Sequence, residues 1–89
     1  MIQTRITIIN KYGLHARAAA KFVTTASSFS SKISMGKDAQ MVDAKSIMSV
    51  MMLAAAKGTE LDLLIDGDDE QHALDAISLL VNDFFGEGE

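Results

Sequence analysis

Apolar residues change their spacing several times along this chain, and each change marks an element. In residues 2–9, Ile6 and Ile8 fall on one face and Arg5 and Thr7 on the other, the period-2 pattern of a half-buried strand. Asn10, Lys11, Tyr12 and Gly13 are turn-prone and end it. Over residues 16–26 the period lengthens: Ala19, Phe22, Val23 and Ala26 follow i, i+3, i+4, i+7 spacing, which predicts a helix buried along that stripe. Ala16 and Ala20 lie off the stripe. Residues 27–31 place Phe29 among four serines and read as a packed loop rather than a linker.

A strand over residues 32–35, with Ile33 and Met35 on one face, is followed by a turn at Gly36-Lys37-Asp38 and a short strand over 40–43. The two predict a hairpin. Ser46 is a natural N-cap for a short helix through Met52 or Leu53, with Ile47, Val50 and Met51 on one side and Met48 and Met52 standing away from it. Gly58 turns into residues 60–66, where Leu61, Leu63 and Ile65 alternate with mostly polar neighbours. Gly67-Asp68-Asp69 then turns and caps a last helix, whose acidic start suits the positive end of its dipole. Leu74, Ile77, Val81 and Phe84 form its stripe and Gly86 its stop, while His72 lies off the stripe as a solvated residue.

The order β-α-β-β-α-β-α, with one apolar face per strand and amphipathic helices, predicts an α+β domain of two layers, a sheet covered on one side. Residues 1–89 leave no room for a second core, so one domain is expected. Hydrophobic residues at 48% and charged residues at 22% fit a globular chain. There is no Cys, which removes disulfides and thiolate metal sites, and two His without carboxylates at ligand spacing give no metal centre. No cofactor is expected. A net charge of −4 and five aromatic rings, Tyr12 and four Phe, argue against nucleic-acid binding. The start of the chain has neither a basic leader nor a long apolar run, so no membrane insertion and a cytoplasmic location are expected. Acidic residues concentrate from Glu60 onward and the lysines lie earlier, so the early half could steer toward a partner with an acidic face.

Against this frame, residues 13–17 carry the candidate chemistry. Strand, short loop and helix put His15 at or beside a helix N-cap, where backbone N–H groups lack intrahelical partners and the dipole favours an anion. A neutral imidazole there is a nucleophile for a phosphoryl group. Arg17, with the amides of Ala16, Arg17 and Ala18, can neutralise the phosphoryl oxygens. From position alone His15 also reads as a cap or a surface residue, and Arg17 as a solvated side chain. An Arg in a first turn opposes the dipole, however, and such local mismatches mark functional positions. Small side chains at Ala16 and Ala20 leave the imidazole accessible. Met48, Met51 and Met52 either fill core gaps or, with Ile47 and Ala20, form an adaptable docking patch beside His15.

Gly13-Leu14-His15-Ala16-Arg17-Ala18-Ala19 resembles the active-site signature of the histidine-containing phosphocarrier (HPr) family of the phosphoenolpyruvate-dependent phosphotransferase system, which includes a nitrogen-type branch. Ala44-Lys45-Ser46-Ile47-Met48 resembles its second signature, around a serine phosphorylated in some members. The two segments lie at family-like spacing and the likeness covers nearly the whole chain. It departs at Ala18, where the family usually has Pro, and at Ser49, where many members have Gly. The resemblance implies an open-faced β-sandwich with a four-stranded antiparallel sheet and three helices. It also implies a monomeric phosphocarrier that is not itself an enzyme. His15, through Nδ1, would accept phosphate from enzyme I and pass it to an IIA-type acceptor, and an HPr kinase could act on Ser46. Two alternatives stay open: a regulatory nitrogen-type phosphocarrier, and an adaptor that binds partners without being phosphorylated.

Overall fold

A computed structural model describes all 89 residues. Its elements are β1 (Ile2–Thr7), α1 (Ala16–Ser27), β2 (Lys32–Lys37), β3 (Gln40–Asp43), α2 (Ile47–Met52), β4 (Glu60–Asp66) and α3 (Glu70–Asn82), followed by a 3₁₀ turn at Phe84–Gly86. The four strands form one antiparallel sheet in the order β1-β4-β2-β3. This is the open-faced sandwich that the family resemblance implies, and it has the two layers that the alternating strands and amphipathic helices predict.

Alternation decides which face is covered. Leu61, Leu63 and Ile65 of β4 are buried, and cross-strand partners from both sides, Ile6 opposite Leu61, Met35 opposite Leu63 and Ile33 opposite Ile65, bury with them. Phe22 of α1 and Ile77 of α3 close the layer over this face without any solvent exposure. The opposite face carries charge. Arg5 stands across from Asp62 and bonds Asp62 at 3.0 Å and Glu60 at 3.2 Å, and these carboxylates hold the guanidinium pKa above its usual value.

Four local expectations need correction. First, the strand expected over 2–9 ends at Thr7, although Ile8 stays buried and still exchanges hydrogen bonds with the segment before β4 (Ile8 N–H to Thr59 O, 2.9 Å; Gly58 N–H to Ile8 O, 2.6 Å). Second, Gly36 belongs to β2 and not to the turn. It pairs with Met41, and a Cβ there would overlap the Gln40 carbonyl, so Gly is needed for close backbone approach; Asp38 and Ala39, both at positive φ, make the bend instead.

Third, of the face Ile47, Val50 and Met51, only Val50 enters the core, because the six-residue α2 is too short to bury a broader stripe. Fourth, α3 stops at Asn82, before Gly86. Phe84 and Phe85 both take left-handed backbone angles, at φ 55° and 53°. This breaks the helical register, so Phe85 and not Phe84 is fully buried, and Ala73 joins Ile77 and Val81 while Leu74 is only partly covered. Left-handed angles cost a bulky residue about 1 kcal/mol or more each; burial of the Phe85 ring offsets this.

Asp69 also departs from its expected role. It stands at the N-cap of α3 but makes no capping bond. Its carboxylate reaches across to the α1–β2 loop, accepting from Ser30 N–H at 2.9 Å, Ser31 N–H at 3.0 Å and both serine hydroxyls. The Ser31 hydroxyl is the largest influence, followed by the Ser30 amide, and the Asp69 carboxyl is pulled down from 3.8 to about 2. A carboxylate with a lowered folded-state pKa stabilises the fold above its unfolded value and loses that effect as pH falls through the folded value. Asp69→Asn is therefore expected to melt lower than the parent at neutral pH, with the gap closing between roughly pH 4 and pH 2. Thermal melts of both proteins across that range check this; a gap independent of pH would detach it from the Asp69 charge.

Candidate functional site

The loop between β1 and α1 is shaped by its glycine. Gly13 sits at φ 66°, and a Cβ there would collide with the Ala55 carbonyl oxygen, so both the angle and the close approach require Gly. The approach is a bonded one: Leu14 N–H donates to Ala55 O at 2.8 Å, and the buried Leu14 side chain anchors the loop. The next residue, His15, is the N-cap of α1, in extended conformation and with no side-chain capping bond. Its carbonyl accepts from Ala19 N–H at 2.8 Å, which leaves the amides of Ala16, Arg17 and Ala18 without a partner in the protein. Unpaired donors at the positive end of a twelve-residue helix, those of the exposed Ala16 and Arg17 foremost, give an anion-binding geometry beside the imidazole, whereas Ala18 is wholly buried.

Arg17 is exposed and engaged in no salt bridge, so its guanidinium is available to an incoming anion. Ala18 is wholly buried, a core contribution absent from the expected stripe of Ala19, Phe22, Val23 and Ala26. A small side chain suits that contact. Ala16 is exposed and Ala20 half-buried. An open cavity of about 570 Å³ borders the site, lined by Tyr12, His15, Arg17, Lys21, Gly86, Glu87 and Glu89.

The last four residues are an addition that sequence reasoning missed. The late acidic residues do not stay apart from the early basic ones. The chain leaves the 3₁₀ turn and folds back over the start of α1, where Lys21 Nζ donates to Phe85 O at 2.7 Å and Lys11 N–H donates to Glu89 O at 3.0 Å. The Glu87 carboxylate bonds His15 Nε2 through one oxygen and accepts from Asn10 Nδ2 at 2.9 Å through the other. Burial opposes ionisation of Glu87, but the hydrogen bonds from Asn10 and His15, with nearby Lys21, together keep its pKa below the usual value. Tyr12, also unassigned from sequence, meets the imidazole edge-on at 6.0 Å between centroids. The available signal was compositional: glutamates flanked by Gly86 and Gly88, just past an aromatic pair, can fold back on a basic loop.

The second signature lies close by. Ser46 caps α2 by accepting from Ser49 N–H at 3.3 Å, and Lys45 Nζ ties the start of the helix to Phe29 O at 2.7 Å. Met48 and Met52 are 70% and 80% exposed, and Ile47 and Met51 about 40%. These exposures remove the reading in which all of the methionines fill core gaps. After α2 the chain reaches Ala55, whose carbonyl accepts from Leu14 N–H in the His15 loop. His72 is exposed on α3, away from these residues. No group of three or more His, Asp or Glu side chains is arranged to hold a metal, and no helix is long and apolar enough to cross a membrane.

The structure is thus an open-faced sandwich with a partly exposed imidazole at a helix N-terminus, beside unpaired amides and an unpaired guanidinium. The comparisons agree. Residues 2–83 match the family model described as the PTS HPr component phosphorylation site. The phosphocarrier protein HPr of Neisseria meningitidis serogroup B is 54% identical over 89 residues, the full length of both chains. A structure of HPr from Thermoanaerobacter tengcongensis, with 49% identity and 98% of each chain covered, superposes with a TM-score of 0.93. Another from that organism, described as an HPr dimer, gives 0.78 over 98% of this chain and all of the other. The chain belongs to the HPr family of phosphocarrier proteins. It is thus a carrier of the phosphotransferase system and not an enzyme.

Proposed function

We propose that His15 accepts a phosphoryl group from enzyme I and delivers it to an IIA-type acceptor of the phosphoenolpyruvate-dependent phosphotransferase system. The observation that carries this reading is the juxtaposition of an accessible imidazole with three unpaired helix amides and an unpaired Arg17. Amides and guanidinium stabilise the phosphoryl oxygens while the N–P bond forms. An imidazole nitrogen is also a good leaving group, so the phosphoryl stays transferable. The full-length likeness to phosphocarriers supports the same reading. Incubation with purified enzyme I and phosphoenolpyruvate, followed by mapping of the acid-labile phosphate, tests it: phosphate on His15 is expected, and an unlabelled chain overturns it. Arg17→Ala should remain labelled but react more slowly, by the equivalent of about 1.5–3 kcal/mol for one charge-assisted contact. Unchanged single-turnover rates would make Arg17 a solvated bystander.

The face made by Ile47, Met48, Met51 and Met52, with Ala20, is the docking surface in this reading, and one chain acting as a monomer in the cytoplasm carries both face and site. The adaptor alternative draws on the same exposed methionines; it prevails if enzyme I binds and no phosphate is transferred. Ser46 is a regulatory candidate, since a phosphate there adds roughly −1.5 to −2 charges beside Met48. Recovery of phosphoserine at Ser46 from cells is the direct check.

A further inference from the structure

The group against His15 comes from the opposite end of the chain, 72 residues away, and is held too firmly to be an incidental surface pair. Its side chain is only 10% exposed. The segment bearing it is fixed on both sides, by Lys21 Nζ at the Phe85 carbonyl and by Lys11, whose N–H donates to Glu89 O and whose ammonium lies 3.8 Å from the Glu89 carboxylate. Asn10, wholly buried, orients the carboxylate itself. Its Nδ2 donates both to Glu87 Oε1 at 2.9 Å and to Gly13 O at 2.8 Å. Two acceptors facing one amide edge fix that edge as the NH₂, which is why the buried Asn10 Oδ1 is left without a partner. A fully oriented carboxylate thus meets one ring nitrogen of the candidate nucleophile.

An ionised carboxylate can only accept. Whatever nitrogen faces Glu87 must carry hydrogen, and that nitrogen is Nε2. We propose that Glu87 is a positioning residue for phosphoryl transfer: oriented by Asn10, it keeps the proton of His15 on Nε2 and so makes Nδ1 the atom that accepts and releases the phosphoryl group. This rests on the carrier reading above and adds the residue that selects the reacting nitrogen. The arrangement has the logic of a catalytic triad, in which a buried carboxylate fixes the tautomer of an imidazole and faces the positive charge that develops on it.

The step balances without a proton leaving or entering. The Nδ1 lone pair attacks phosphorus of a phosphohistidine donor protein, the donor's N–P bond breaks, and that electron pair returns to the donor nitrogen. Nε2 retains its hydrogen, so the phosphorylated ring is an imidazolium, its charge set against Glu87. On delivery to an acceptor nucleophile the N–P electron pair returns to Nδ1 and the ring is neutral again. The same carboxylate serves both directions, which suits a carrier.

The test uses two full-length variants. In Glu87→Gln the single carbonyl oxygen cannot satisfy both Asn10 Nδ2 and His15 Nε2–H, and in Glu87→Ala no acceptor remains. Nitrogen-15 NMR of unphosphorylated His15 near neutral pH is expected to show one tautomer, protonated at Nε2, in the parent protein. A mixture is expected in Glu87→Ala and at least a partial one in Glu87→Gln. Phosphoryl uptake from enzyme I and phosphoenolpyruvate should slow by about tenfold, the loss of one charge-assisted hydrogen bond, while both variants stay folded and melt somewhat below the parent because a largely buried, hydrogen-bonded carboxylate is lost. Retention of the parent tautomer in both variants overturns the proposal. Faster uptake in either variant also overturns it, since Glu87 would then act as a brake repelling phosphate. If the parent protein takes no phosphate, the carrier reading fails, and the tautomer measurement alone still decides the role of Glu87.

Discussion

His15→Ala should take up no phosphate from enzyme I while staying folded and melting only modestly below the parent, the modest loss reflecting the partner that Glu87 gives up. Both halves follow from where the side chain sits. The imidazole is about one-third exposed, caps no helix amide and belongs to no core cluster, so its removal opens no cavity. The backbone at residue 15, φ −72° and ψ 177°, is ordinary extended geometry that Ala adopts freely. Ala is a poor N-cap, but the usual penalty of ~0.5–2 kcal/mol applies to side chains that bond the helix amides, and His15 does not. What disappears is the only imidazole at the site, since His72 lies on α3 away from these residues. Arg17 and the amides can still bind an anion, but none of them is a nucleophile. Mass spectrometry of the intact protein paired with a thermal melt reads both quantities. Labelling of His15→Ala at the parent rate would sink the phosphohistidine assignment. A collapsed melt would instead make His15 structural.

Much of the fold was legible because its strands obey a simple rule. Glu60–Asp66 alternates apolar and polar residues, and β4 has those bounds because only one register buries Leu61, Leu63 and Ile65 together. The loop–helix switch at residue 13 was equally plain, since turn residues followed by an alanine-rich stripe put His15 at or beside the N-cap, and the N-cap is where it stands. Where backbone conformation departs from local preference, periodicity misleads. Nothing in Asp83-Phe84-Phe85-Gly86 announces two successive left-handed aromatics, yet they decide which Phe is core and where the tail goes. Asp69 reads as a cap from its neighbours but bonds serines nearly forty positions away. Glu87 was missed for the same reason. Its partners Asn10 and His15 lie at the other end of the chain, and only the folded sheet and helices bring the two ends together. The sequence shows local grammar well and long-range polar pairs poorly.

Met48→Asp should leave the domain as stable as the parent and strongly weaken its association with enzyme I. The stability half rests on position. Met48 is the second residue of α2 and 70% exposed, so little buried apolar area is lost. An aspartate in a first turn interacts favourably with the helix dipole, by about 0.3–1 kcal/mol at a surface site. That contribution offsets the poorer helix propensity of Asp. The docking half rests on the company Met48 keeps. Ile47, Met51 and Met52 extend the same exposed apolar surface, and Ala55 bonds the loop that carries His15, so under the proposed function this face is the docking surface. A flexible thioether adapts to partners of different shape, whereas a carboxylate in its place must be desolvated among methionines without a hydrogen-bond donor. If Met48 lies at the centre of that docking surface, a hot-spot loss of about 2 kcal/mol or more, roughly thirtyfold in affinity, is the expected result. Titration calorimetry with enzyme I and melts of the two proteins give both numbers. A lowered melting temperature would return Met48 to the core, and unchanged affinity would move the docking surface off α2 altogether.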